Sequence, residues 1–274
     1  MNEDHQDSVT TELPRLTPSS VGDLECPKKF RALRMKNGQG WGSNIRDYPV
    51  SVARATATHD VLRQVYRTRR GGEVNLDHVE TYAKTAVWRG RFPQKTDRNV
   101  ETQRVVAAAC AVVGNDSAAE IEGTISVEHP IEFMYAHDGE PLMVVSSKID
   151  RILVDPDNPR TLKLRDYKFT ARPKISLPEA FIYLWAAKKA FAGHGFDNYV
   201  LEYECVSPEN EVTRETVTGA DVRGQFTLVT DAAVRVIRGT EFPAVIGDAC
   251  TYCPLRAACQ GLPPESGHTG GEVF

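Results

Sequence analysis

The sequence predicts a mixed α/β domain with a helical cap in front of it, and three observations predict it. The first half carries apolar residues at helical spacing, over about 51–70, 76–90 and 99–113, the last run closed by Gly114-Asn115. After Ala119 the texture changes to β-branched stretches, Thr124–Tyr135, Leu142–Val154 and Thr161–Thr170. His137-Asp138-Gly139 and Asp155-Pro156-Asp157-Asn158-Pro159 punctuate them as turns, so they read as a three-stranded meander. A helix over about 177–192, strands over 198–206 and 210–217 and a helix over 220–237 follow. Helices, three strands, helix, strands, helix is the order of an α/β core.

The remaining segments are read in order. Residues 1–15 are polar and expected to be disordered. Thr17-Pro18-Ser19-Ser20 looks like a helix start, with a hydroxyl cap and proline in the first turn, leading through Leu24 to Cys26 and Phe30. Residues 37–50, with Asn37-Gly38-Gln39-Gly40 and Trp41-Gly42-Ser43, read as loop. Ser176-Leu177-Pro178-Glu179 opens the later helix as a capping box, Glu179 reaching back to its start, and Gly193 closes it. Residues 262–274 read as a loose tail.

With 274 residues, 41% of them hydrophobic, the chain is long enough for one large core. No run approaches the roughly 20 apolar residues that span a bilayer, and the acidic start is no signal peptide. The expected place is the cytoplasm, away from membranes, where thiols stay reduced. A net charge of −4 argues against bulk coating of nucleic acid. Basic residues nevertheless gather with aromatics: Lys28, Lys29, Arg31, Arg34 and Lys36 with Phe30 and Trp41; Arg63, Arg67, Arg69 and Arg70 with Tyr66; Arg89, Arg91, Lys95 and Arg98 with Trp88 and Phe92. Such mixtures suit phosphate contact and base stacking, or are solvated helix faces.

Four of the six cysteines form a pattern. Cys250, Cys253 and Cys259 make a C-x2-C-x5-C run, and Cys26 near the start is the natural fourth ligand of one metal centre. Spacing alone does not separate zinc from an iron–sulfur cluster. Cys110 and Cys205 sit in apolar or strand-like settings and read as core residues.

Two strands of the meander carry Asp150 and Asp166-Tyr167-Lys168. Strand alternation points Asp166 and Lys168 to one face and Tyr167 to the other. If the turn brings Asp150 beside Asp166, two carboxylates offer hard oxygens to Mg²⁺ or Mn²⁺. A lysine beside them can neutralise a phosphate and orient, or help deprotonate, an attacking water.

Asp150 with Asp166-x-Lys168 resembles the PD-(D/E)xK nuclease core. The four cysteines resemble the iron–sulfur group of RecB-like nucleases, meaning the AddB nuclease domain and the CRISPR-associated RecB-like exonucleases. Leu16-Thr17-Pro18-Ser19-Ser20 running to Cys26-Pro27-Lys28-Lys29-Phe30 matches the opening of that group, and His59 falls where the group has its helical histidine. The resemblance implies a restriction-endonuclease-like core, a mixed central sheet flanked by helices, at 119–240. It implies a helical cap at 16–118 holding the first cluster cysteine and the histidine, and an iron–sulfur segment at 241–261. His59, Asp150, Asp166 and the Tyr167 carbonyl would hold Mg²⁺ or Mn²⁺, and Lys168 would assist the water. A further acid is expected on the first strand, where Glu128 and Glu132 share parity and Glu128 is favoured. The cysteines would hold a structural [4Fe–4S] cluster.

The chain departs from the group in two places. Glu179-x-x-x-Tyr183 stands where the group often has Gln-x-x-x-Tyr contacting DNA, and Ser147 stands where a glycine is usual. DNA contacts would fall on Glu179, Tyr183, Lys28, Lys29 and Arg67. The implied function is a metal-dependent DNA exonuclease acting on ends or single strands in repair, recombination, CRISPR adaptation or defence, with a helicase or other DNA-processing partner. The competing readings are a DNA-binding subunit with a nuclease fold that no longer cuts, which Glu179 favours, and a zinc-stapled α/β protein unrelated to nucleases.

Overall fold

The computed structural model describes residues 13–35, 49–170 and 175–247, and residues 250, 253, 255, 256 and 259 of the C-terminal segment. The stretches 1–12 and 262–274, and most of the loop expected at 37–50, lie outside the described residues. A short strand β1 (Arg15–Leu16) and a 3-10 helix (Pro18–Glu25) open the structure. Helices α1 (Pro27–Arg34), α2 (Val50–Arg67), α3 (Val79–Arg89), α4 (Arg98–Gly114) and α5 (Ala118–Glu122) come next. Strands β2 (Thr124–His137), β3 (Glu140–Asp155) and β4 (Asn158–Lys168) are followed by α6 (Leu177–Ala190), β5 (Asn198–Val206), β6 (Val212–Thr218) and α7 (Gln225–Arg238). None of the described helices is long and apolar enough to cross a membrane.

The meander is present as expected: β2 pairs β3 and β3 pairs β4, both antiparallel. Helix α6 then carries the chain across to β5, which lies parallel to β4, as a parallel neighbour requires. Strand β6 closes the sheet against β5. The long strand β3 organises the rest. One of its edges is taken by β2; β1 and β4 share the other, β1 at Val144 and Val145 and β4 from Arg151 onward. Asp150 is therefore the last residue before the β4 ladder begins.

Helices cover both faces of the sheet. On one, Val61, Leu62 and Val65 of α2 pack with Ala83 and Val87 of α3 and Val105 and Val112 of α4. On the other, Leu24, Phe30, Ile182, Leu201, Val229 and Ala233 form a second core. Three boundaries differ from expectation. The first helix breaks at Cys26 (φ −123°, ψ 97°), because Pro27 has no N–H to donate and disfavours helical backbone in the residue before it. Helix α7 starts at Gln225, since Gly224 takes a left-handed φ of 87°. The short helix α5 was not anticipated, although Ser117 and Glu120 cap it reciprocally.

A buried ionic network lies directly behind the ends of β3 and β4. Arg151 and Arg165 are cross-strand partners, and both side chains are fully buried. Like charges directly opposite each other repel. Asp116, between α4 and α5, accepts from both guanidinium groups and from the Tyr66 hydroxyl, and it pairs with Arg214 at 2.8 Å. Glu120 adds contacts to Arg165 and, at 3.0 Å, to Arg214; Glu202 meets Arg165 Nε at 2.8 Å.

Burial pushes the Glu120 carboxyl upward, but the Ser117 N–H and the Arg165 and Arg214 charges outweigh it and bring the pKa down to about 2. A carboxylate depressed in the folded state contributes stability above its ordinary value near 4.5, and that contribution is lost as pH falls toward 2. Glu120→Gln is therefore expected to lower the urea midpoint at pH 7, with the gap to wild type closing between about pH 4.5 and 2. Parallel urea titrations at pH 7, 4.5 and 3 check this.

Candidate active site

Asp150 is buried and held from two sides. Its Oδ2 accepts the Tyr167 backbone N–H at 2.9 Å, and its Oδ1 lies 3.3 Å from His59 Nδ1. The first contact ties β3 to the end of β4, just beyond the Arg151–Arg165 pair where their regular pairing stops. His59 comes from the middle of α2, on a helix whose Ala57, Val61 and Val65 anchor it in the core. Its ring stands edge-on to Phe169, with centroids 5.3 Å apart.

Glu128 enters from β2, at the register position between the Val127–Arg151 and His129–Ile149 pairs. Its φ is +52°, a conformation that costs a non-glycine residue about 1–3 kcal/mol and is kept where the surroundings impose it. Ligand atoms of His59, Glu128 and Asp150 all lie within 4.8 Å of one another. Glu132, the other acid considered for this strand, stays at the surface on Arg15 and on Ser146 Oγ at 2.9 Å.

The alternation expected in β4 is observed. Tyr167 packs in the α2–α4 core, while Asp166 and Lys168 face α6. Tyr183 donates from α6 to Asp166 Oδ1 at 2.8 Å. Lys168 Nζ lies 2.7 Å from Asp166 Oδ2 and 3.2 Å from Glu179 Oε1. Asp166 Oδ2 is buried, with the Lys168 ammonium as its partner.

The electrostatics agree with a site built for cations. Burial opposes the His59 imidazolium, yet Asp150, Asp166 and Glu128 together hold its pKa above the ordinary value. Burial raises the Asp166 carboxyl, Lys168 pulls it down and Asp150 pushes it up again, with a net rise. Lys168 is disfavoured by burial but raised overall by Asp166 and Glu179, so it is a cation at neutral pH. That suits charge neutralisation and water orientation rather than proton abstraction. The imidazole of His59 with the carboxylates of Glu128 and Asp150, from two neighbouring strands, is a donor set that fits Mg²⁺ or Mn²⁺, and Asp166 lies outside that group.

Of the expected residues, the structure brings His59, Glu128 and Asp150 into one group, with Asp166, Lys168, Tyr183 and Glu179 joined to it through β4. Two expectations need correction. Glu179 does not complete the capping box: Ser176 Oγ receives the Glu179 N–H at 3.4 Å, but the Glu179 carboxylate goes to Lys168. The Tyr183 hydroxyl is spent on Asp166, so it orients a carboxylate rather than standing free for DNA. Lys28 and Lys29 lie beside the cysteines, Lys29 paired with Asp23 at 2.8 Å, and Arg67 is exposed at the far end of α2. Ser147 is buried with an unpartnered Oγ.

Asp116, Arg151 and Arg165 were not anticipated. The signal was present, since an arginine adjoins each aspartate in a strand whose alternate face must also be buried.

The cysteines converge on a separate place. Cys26, Cys250, Cys253 and Cys259 line one cavity of about 20 Å³ together with Leu255, which is buried. Backbone bonds run in three-residue steps, from Cys253 to Cys250, Arg256 to Cys253 and Cys259 to Arg256. Residues three apart eclipse in such turns, which explains why spacings of three and six put all three thiols on one side.

A profile of the PD-(D/E)XK nuclease superfamily matches residues 15–260. The chain belongs to the PD-(D/E)XK nuclease superfamily. Among solved structures it is similar to a protein of Eubacterium rectale provisionally designated an exonuclease, at 11% identity, covering 92% of this chain and 93% of that one with a TM-score of 0.56. At that identity the likeness is one of fold. SSO0001 aligns at 13% identity over 61% of this chain and 72% of its own, with a TM-score of 0.37, too low to carry an argument. No curated protein matches the chain significantly.

As a member of this superfamily the chain is expected to bind Mn²⁺ in the acidic group. Asp150→Asn and Glu128→Gln should each weaken Mn²⁺ binding at least tenfold, read as free Mn²⁺ by electron paramagnetic resonance.

Proposed function

We propose that the chain is a metal-dependent deoxyribonuclease, acting as an exonuclease on DNA ends or single strands and stapled by a structural [4Fe–4S] cluster. The observation that carries the reading is Lys168 on the same strand face as Asp166, 2.7 Å away, at the one place where β3 delivers Asp150 against His59. His59, Glu128, Asp150 and Asp166, with the Tyr167 carbonyl, would hold Mg²⁺ or Mn²⁺. Such a cation supplies charge stabilisation to a scissile phosphate and acidifies a bound water.

The remaining work falls to the chain. The Tyr167 N–H fixes one Asp150 oxygen and leaves the other toward the centre. Tyr183 fixes one Asp166 oxygen, and Lys168 holds the other at 2.7 Å. Lys168 provides positive charge for a phosphate oxygen and a donor to orient the attacking water, preorganised by its two carboxylate partners. Glu179 is the feature that favours a non-cutting subunit, because a free carboxylate would repel phosphate. Its pairing with Lys168 offsets that charge, and this supports the cutting enzyme.

The cluster reading is supported by the cysteine cavity. Four thiols around one place are a full ligand set for a single centre, which would tie α1 to the C-terminal segment. Substrate DNA, a helicase or other processing partner, a cytoplasmic setting and a role in repair, recombination, CRISPR adaptation or defence belong to the same proposal.

The test is a time course on end-labelled single- and double-stranded DNA with Mn²⁺, using anaerobically purified protein. Wild type should shorten the labelled strand, and Lys168→Ala should slow it at least a hundredfold while still shifting DNA on a gel. DNA left intact by wild type but still bound would move the assignment to a non-cutting subunit.

A further inference from the structure

We infer that the groove between α6 and α7 is a second binding site for single-stranded DNA, separate from the acidic centre. It rests on the proposed nuclease function. The groove has a volume of about 1090 Å³ and includes Asn158 and Thr161, at the start of β4. Lys168 lies at the other end of that strand, ten steps or roughly 33 Å away. Helix α6 links the two places: Glu179 and Tyr183 serve the acidic centre, and Lys188 and Lys189 line the groove, with Lys188 about 14 Å along the axis from Glu179.

Two properties of the lining identify the ligand. The first is a rigid aromatic platform. Phe181 stacks on Trp185 at 5.3 Å, and Phe226 stands edge-on to Trp185 at 5.5 Å while remaining 47% exposed. Phe181 is buried and Trp185 half-buried, so they brace Phe226, whose exposed ring can accept a nucleobase without demanding a sequence.

The second is charge. Asp155 and Asp197 also line the groove, but Lys163 holds the first at 3.1 Å and Arg160 the second at 2.6 Å. Lys188, Lys189 and Arg223 are exposed and pair with no carboxylate of the described residues. Lysines in the last turn of a helix also complement its dipole. Arg223 has no such role, since it precedes α7 and faces the groove from the opposite wall. Neutralised acids, unpaired cations and an exposed aromatic ring together select an anionic chain of bases. A strand engaged at the acidic centre could run along α6 and be held here, which would make long strands better substrates than short ones.

The experiment measures anisotropy of fluorescein-labelled oligothymidylates of 5 and 20 nucleotides on the full chain in EDTA, where cleavage does not intervene. Lys188→Ala/Lys189→Ala/Arg223→Ala should weaken 20-mer binding at least tenfold. It should also reduce the slope of log affinity against log salt by about 2, three contacts at roughly 0.7 each. Phe226→Ala should weaken the 20-mer about fivefold or more. Pentamer binding, and Mn²⁺-dependent cleavage of the pentamer, should stay at the wild-type level in both variants. Unchanged 20-mer affinity and salt slope would overturn the proposal, as would equal losses for 5-mer and 20-mer. A wild type that cuts nothing, with 20-mer binding lost in the variants, would remove the nuclease reading and leave the groove standing.

Discussion

Asp116 is the residue on which the site's geometry depends. The residue pair next to Asp150 and Asp166 consists of two buried arginines facing each other across β3 and β4, a combination that would drive the strands apart. A single carboxylate accepting from both turns that repulsion into a clamp, and Glu120, Glu202 and Arg214 complete the balance. Buried ion pairs are rarely more stabilising than apolar packing, but breaking one partner away typically costs about 3–5 kcal/mol. The network is best understood as a register device. A one-residue slip of β4 would carry Arg165 to the α6 face and Asp166 to the α2 face, and every charge would lose its partner.

Because the register is held from behind, the front can be left electrostatically incomplete. Asp150, Asp166 and Glu128 gather on one side of the sheet end, and His59, Lys148 and Lys168 offset them only in part. The left-handed backbone at Glu128 is a cost that a purely structural arrangement would have no reason to keep. Glu179 fits the same logic. Placed where it touches Lys168, it adds negative charge to the ion-pair chain and fixes the lysine's position.

Much of this was legible in the sequence because local signals agreed with the fold. Period-2 stretches punctuated by Asp-Gly and Asn-Pro turns located the meander, and alternation placed Asp166 and Lys168 on one face. The resemblance of Asp150, Asp166, Lys168 and His59 to a known pattern pointed to the region where the structure groups His59, Glu128 and Asp150. What was not legible was long-range. Nothing near Asp116 in the chain announces that its partners lie on β3, β4 and β6. Glu179 obeys two local rules equally well, and only the approach of Lys168 decides between them. The break at Cys26 could have been read from Pro27, since the residue before proline avoids helical backbone.

Anomalous scattering from crystals soaked in Mn²⁺ tests the central claim most directly, because it locates the cation without reference to activity. A peak bounded by His59, Glu128, Asp150 and Asp166 is the predicted result. A peak elsewhere, for instance between Asp166 and Glu179 with His59 and Glu128 left uninvolved, would contradict the assignment of the centre.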